Sequence, residues 1–150
     1  MKNIFGLIIC IICLISCTST KNSSQVSENI NPRSLPTILE IETATRGFYN
    51  QIIIANGNAI VKKTRNGTEE SYKLNQKQLQ DLTKAYNDFE LEKLNDYVSD
   101  SSMSSMDAST VSVIKITNSG DVYLSNDFDT ANPPIQYKAL VTCINQIINK

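Results

Sequence analysis

The sequence predicts an α+β domain: a single antiparallel sheet of five to six strands with two helices packed on one face. Three observations carry this. Short apolar runs meet at the turn signals Asn56-Gly57, Asn66-Gly67 and Asn118-Ser119-Gly120, as hairpins do. Only two stretches, one opening near residue 75 and one near residue 132, repeat apolar residues at helical spacing. The strand runs follow one another through connections too short for parallel crossovers.

The elements follow in chain order. Leu39, Ile41 and Thr43 alternate with Glu40 and Glu42, a strand with one wet face. Phe48 to Ala55 contains Ile52-Ile53-Ile54 and reads as a more central strand, apolar on both sides. Ala59 to Thr64 returns as the third strand, and Glu70 to Lys73 gives a short fourth. Asn75 and Gln78 form a capping box, with Leu74 and Leu79 placed as a hydrophobic staple. Leu79, Leu82, Tyr86 and Phe89 make one stripe of the helix that follows. Leu91, Leu94 and Tyr97 add a turn or two beyond a kink near Asp88. Ser99 to Ser109 is a polar loop, and Val111 to Thr117 and Asp121 to Ser125 form a hairpin. Asn126 to Pro134 is a second loop. Asn132 is placed to cap the last helix, with Pro133 and Pro134 in its first turn and Tyr137, Leu140, Ile144 and Ile147 or Ile148 as its stripe.

The N-terminal stretch MKNIFGLIICIICLISC is of another kind. Lys2 gives a positive start, and Ile4 to Ile15 is an apolar run of signal-peptide length, shorter than the roughly 20 residues a bilayer span needs. The run ends in Leu14-Ile15-Ser16-Cys17, which resembles the lipobox of bacterial lipoproteins. The resemblance implies cleavage between Ser16 and Cys17, a diacylglyceryl group on the Cys17 sulfur, and acylation of the new amino terminus. It implies a protein lipid-anchored to a membrane of the cell envelope. Thr18 and Ser19 lack the Asp that often retains such proteins at an inner membrane, which favours an outer membrane where one exists. Each buried CH₂ contributes about 0.8 kcal/mol, so several chains hold where one is marginal. Cys17 to Pro36 then carries the lipid and a polar, disordered tether of about 25 Å. The folded domain is expected over residues 37–150.

Composition narrows the chemistry. The 150 residues carry 14 basic and 15 acidic side chains, with no basic run or stripe, which argues against nucleic acid as a partner. Losing the leader removes Lys2 and brings the charge to about −2. Of four cysteines, Cys10 and Cys13 leave with the leader and lipid blocks Cys17. Cys143 is then alone, expected as a small buried hydrophobe, and no internal disulfide can form. The chain has no histidine, which removes Ser-His and Cys-His nucleophile pairs and the commonest metal ligand. No cofactor is expected.

The remaining candidates are carboxylates. Asp100, Asp107, Asp121, Asp127 and Asp129 gather in the second half of the chain. Asp107 and Asp129 flank the last hairpin, and as a pair they could act as acid and base or hold a hard cation such as Ca²⁺. Their spacing matches no calcium loop, and Asp is a common turn residue for local reasons. Ser101, Ser102, Ser104 and Ser105 have no base beside them and no G-x-S-x-G elbow.

From Gly47-Phe48-Tyr49 through the Leu-rich helix, Asp107-Ala108, Phe128-Asp129, Pro133-Pro134 and Leu140-Val141, the chain resembles a family of small bacterial envelope lipoproteins with no assigned function. Members often carry Gly after the first Asp and His after the second, where this chain has Ala108 and Thr130.

These readings converge on a membrane-tethered, non-enzymatic interaction module of the cell envelope. It would present its sheet face, or the loops Ser99–Ser109 and Asn126–Asn132, to an envelope protein or glycan. Two alternatives remain: a hydrolase using Asp107 and Asp129, and an inhibitor of an envelope-attacking enzyme such as a lysozyme or protease.

Overall fold

A computed structural model describes residues 33–99 and 110–148. Among these residues, seven strands and two helices follow in the order β1 (Ile38–Thr45), β2 (Phe48–Ala55), β3 (Asn58–Lys62), β4 (Glu69–Lys73), α1 (Gln76–Asn87), β5 (Val111–Asn118), β6 (Asp121–Leu124), β7 (Phe128–Asp129) and α2 (Lys138–Ile148). A 3-10 turn, Leu91–Lys93, follows α1. All pairings are antiparallel, in the spatial order β4-β3-β2-β1-β5-β6, with β7 also on β5. The expected α+β architecture is the one observed.

Register explains why one face is covered. Leu39 lies opposite Ile54 and Ile116, Ile41 opposite Ile52 and Ile114, and Ile52 and Ile54 opposite Val61 and Ala59. Side chains alternate along a strand, so all of these share one face. They form a single core with Leu82, Ala85 and Tyr86 of α1 and Leu140, Val141, Ile144 and Ile147 of α2. The other face carries Glu40, Glu42, Gln51, Lys62 and Lys115 and, among the described residues, no helix.

Turn chemistry sets the hairpins. Asn56 and Gly57 stand at φ 50° and 74°, and Ser119 and Gly120 at 53° and 99°, the positive pairs that match the twist of tight hairpins. Arg46-Gly47 makes the β1–β2 turn with Gly47 alone at positive φ, 85°. Asn66-Gly67 departs from expectation: neither residue takes positive φ. The longer β3–β4 connection there closes through Gly67 N–H donating to the Thr64 carbonyl at 3.1 Å. Capping of α1 is as expected, with Asn75 Oδ1 accepting from Gln78 N–H and Gln78 Oε1 from Asn75 N–H, both at 2.9 Å.

Three further elements correct the sequence reading. The last helix starts at Lys138, not at Pro133, and Asn132 is not its cap. Pro133 and Pro134 are buried, and a residue before proline is pushed out of the helical region, so the pair delays the helix. Tyr137 N–H then closes on the Pro134 carbonyl and Val141 N–H on that of Tyr137. Second, the loop after β6 contains β7. Leu124 faces Lys115 but Phe128 faces Ser112, so one extra residue is inserted on the edge, a β-bulge. The insertion turns Phe128 into the core and leaves Asp127 exposed; unbroken register would do the reverse.

Third, the domain begins before Thr37. Arg33 N–H donates to Asn87 Oδ1 at 2.6 Å, and Asn87 Nδ2 donates back to the Arg33 carbonyl at 2.9 Å. The guanidinium donates to the carbonyls of Tyr86, at 2.8 Å, and Phe89, while stacking 4.8 Å from the Tyr86 ring centroid. A cation thus closes the carbonyl end of α1, where the helix dipole is negative. Leu35 packs on the core and Pro36 is buried.

Two predictions follow from these contacts. Arg33→Ala should destabilise the fold by about 2 kcal/mol in urea unfolding, with Arg33→Lys restoring less than half because the planar fork is lost. The buried Tyr86 hydroxyl has no hydrogen-bond partner among the described residues, so Tyr86→Phe should be neutral or stabilising at pH 7. Burial also pushes the Tyr86 phenol above its ordinary 10.0, against the pull of Arg33. The folded chain then holds that proton where the unfolded chain releases it, so stability falls as pH rises above 10. Tyr86→Phe should flatten that fall when unfolding is repeated at pH 11.

Candidate functional site

The sheet edge at β5 and β7 holds one of the sequence-predicted candidates, Asp129. Asp129 lies in β7, opposite Val111, and is 6 % exposed. Its Oδ1 accepts from Ala131 N–H at 2.9 Å, and Asn132 N–H donates to its carbonyl at 3.0 Å, the local turn geometry that aspartate favours. Asp107, Asp100 and the serines and methionines of 101–106 lie outside the described residues, so the expected Asp107–Asp129 pair falls there too. Asp121 and Asp127 are exposed. Among the described residues no group of three His, Cys, Asp or Glu side chains could hold a metal.

Beside Asp129 runs a chain of hydroxyls that only long-range pairing brings together. Thr130 Oγ1 donates to the Thr110 carbonyl at 2.8 Å, which fixes the direction of the rest. Ser112 then donates to Thr130 at 2.7 Å, and Thr43 to Ser112 at 2.8 Å. Thr43 and Ser112 are buried. Thr130 is the last link to main chain.

The loop around β7 is fastened at both ends. Asn126 Nδ2 donates to the Asn95 carbonyl and Ser99 Oγ to that of Asn132. Of the two loops expected to face a partner, Asn126–Asn132 is therefore part of the edge, and 100–109 lies outside the described residues.

The helix-free face offers a different surface. Ala44, Val111, Val113 and Leu124 floor an open groove of about 460 Å³ along β1, β5 and β6, rimmed by Glu40, Glu42, Asp127 and Lys115. Glu40 accepts from Gln51 at 2.6 Å and lies 3.8 Å from the Lys115 ammonium. Glu42 lies 3.9 Å from the Arg65 guanidinium, which stacks 5.2 Å from the Tyr49 ring. Partial burial, then the Glu42 carboxylate, pushes the Tyr49 phenol up. The groove thus holds an apolar floor with three carboxylates against one ammonium. Strand alternation already gave β1 a wet face with Glu40 and Glu42; that β5 and β6 line up beside it to complete the groove depends on long-range pairing and was not readable in the sequence.

Cys143 is partly exposed at the edge of the core, not fully buried, with its Sγ 3.9 Å from the Asp81 carbonyl. Burial, then Asp81, pushes its thiol up, away from the reactive thiolate.

Removing the middle of the hydroxyl chain should cost most. Ser112→Ala leaves the buried Thr43 hydroxyl without its acceptor and should lower stability by about 1–3 kcal/mol, while Thr43→Val, which removes only the first donor, should cost less. Urea midpoints of the two variants give the order.

Comparison with known proteins finds no match to a family model, a curated protein or a solved structure.

Proposed function

We propose that this protein is a lipid-anchored interaction module of the cell envelope, without catalytic activity, that binds a partner on the helix-free face of its sheet. One observation carries the reading: the groove over β1, β5 and β6 combines an apolar floor with an acidic rim, and among the described residues no helix covers it. A sheet face that only needs to be wet can be polar throughout. Here Val113 and Leu124 sit between charged neighbours, the mixture found at protein-binding surfaces. The charge balance favours a protein segment bringing an apolar side chain and at least one cation. The Leu14-Ile15-Ser16-Cys17 box and its apolar run support the anchor.

The two halves are tested separately. Detergent phase partitioning with intact mass should show wild type in the detergent phase carrying added acyl mass, and Cys17→Ser aqueous and unmodified. Both proteins aqueous and cut at the same bond would end the anchor reading. For the face, crosslinking in intact envelopes should give an adduct that is lost with Leu124→Lys or Glu42→Lys and kept with Lys84→Glu, on the exposed side of α1. An adduct indifferent to both face variants would reject the groove.

A further inference from the structure

The edge strand β4 differs from every other strand of the sheet: all five residues, Glu69-Glu70-Ser71-Tyr72-Lys73, are exposed. Its inner side is committed. Leu74 N–H donates to the Gly57 carbonyl at 2.9 Å, and Tyr72 and Glu70, at alternate positions, face Ala59 and Val61. In an antiparallel ladder main-chain groups point alternately to the two sides, so those of Glu69, Ser71 and Lys73 point outward.

We propose that β4 pairs with β4 of a second copy of this chain, antiparallel about a two-fold axis at Ser71. In that register Ser71 faces Ser71, Glu69 faces Lys73, and Glu70 faces Tyr72. The three residues with outward main-chain groups meet one another, so each pair exchanges both of its hydrogen bonds and the axis lies on such a pair. Charges match at the same time. Two Glu69–Lys73 contacts form on the helix-free side, continuing the Lys62–Glu69 pair that each copy already makes at 2.6 Å. On the other side Glu70, which accepts from Tyr72 of its own chain, meets the same donor across the axis.

Shifting the two-fold by one residue toward β3's turn sets Glu70 against Glu70, and shifting it the other way removes both Glu–Lys contacts. Charged side chains ordinarily keep edge strands apart. Here their order favours one antiparallel self-pairing and opposes its neighbours. A two-fold contact of this kind is isologous and closes at two copies. The axis is perpendicular to the sheet, so both helix layers lie on one side and both grooves on the other. A five-residue edge contact is small, and the dimer is accordingly weak and concentration-dependent.

Sedimentation equilibrium of the full chain in density-matched detergent tests this directly. Wild type should rise from one chain mass toward two as concentration approaches millimolar. Ser71→Pro removes an outward N–H without touching the β3 ladder and should stay at one chain mass, with circular dichroism unchanged. Glu69→Lys alone and Lys73→Glu alone should each stay at one chain mass, because like charges then meet at both ends. Mixed together, the two variants should dimerise at least as tightly as wild type, since every contact becomes opposite in sign. A wild type that never exceeds one chain mass overturns the proposal. So does a dimer unaffected by Ser71→Pro, or a mixture of folded variants that stays at one chain mass.

Discussion

The structure depends on β1 being paired on both sides. Ile38 to Ala44 lies against Thr117 to Val111 on one flank, and Leu39 to Thr45 against Ile54 to Phe48 on the other. The second pairing is local, closed by a two-residue turn. The first joins residues some seventy positions apart, and its loop-closure entropy must be met before any contact rewards it. Leu39 and Ile41 can meet this demand because each contacts an isoleucine on both neighbouring strands. Without β5 in place, α2 would have half a sheet to cover.

Once β1 and β5 are in register, the limits of the core follow row by row. The rows through Leu39 and Ile41 are apolar across four strands. The next, Thr43 with Asn50 and Ser112, is polar. The buried hydroxyls of that row cannot reach water, and their order toward the Thr110 carbonyl gives each donor an acceptor. Arg33 solves a comparable problem on the helix layer, where the last carbonyls of α1 would otherwise face an aromatic cluster of Tyr86, Phe89 and Tyr137. Both devices satisfy main chain at the border of an apolar region, and both join segments distant in sequence.

Distance in sequence separates what was legible from what was not. The turns at Asn56-Gly57 and Asn118-Ser119-Gly120, the capping box at Asn75 and the stripes of both helices are set by neighbours within a few residues, and they read directly. The β-bulge did not, because it shows only when Phe128 is known to face Ser112. Arg33 stands in a polar stretch that reads as tether, and its partners lie more than fifty residues away. Pro133 and Pro134 are compatible with a helix start or with an extended lead-in, and burial of both rings decides for the second. Asn66-Gly67 carries the same dipeptide as Asn56-Gly57 but sits in a longer connection, where no strand twist demands positive φ. Of the candidate site, alternation gave the wet face of β1 with Glu40 and Glu42. That Val113 and Leu124 stand beside them depends on the long-range pairing of β5 with β1.

The two edges of the sheet illustrate how the same backbone need is met differently. At the β6 and β7 edge, a bulge bends the strand, Ser125 donates its N–H to the Ile114 carbonyl while its hydroxyl accepts from the Ile114 N–H, and the loop is tied down by Asn126 donating to the Asn95 carbonyl and Ser99 to that of Asn132. At the β4 edge none of this occurs. Strand β4 contributes no side chain to the core; it delivers Leu74 and the Asn75 cap to the start of α1. Its side chains are therefore free of packing demands, and their charges act only on Lys62, Lys63 and whatever approaches the open edge. In antiparallel self-pairing about Ser71 the order acidic, acidic, neutral, aromatic, basic sets each Glu69 against a Lys73 and brings no like charges opposite one another.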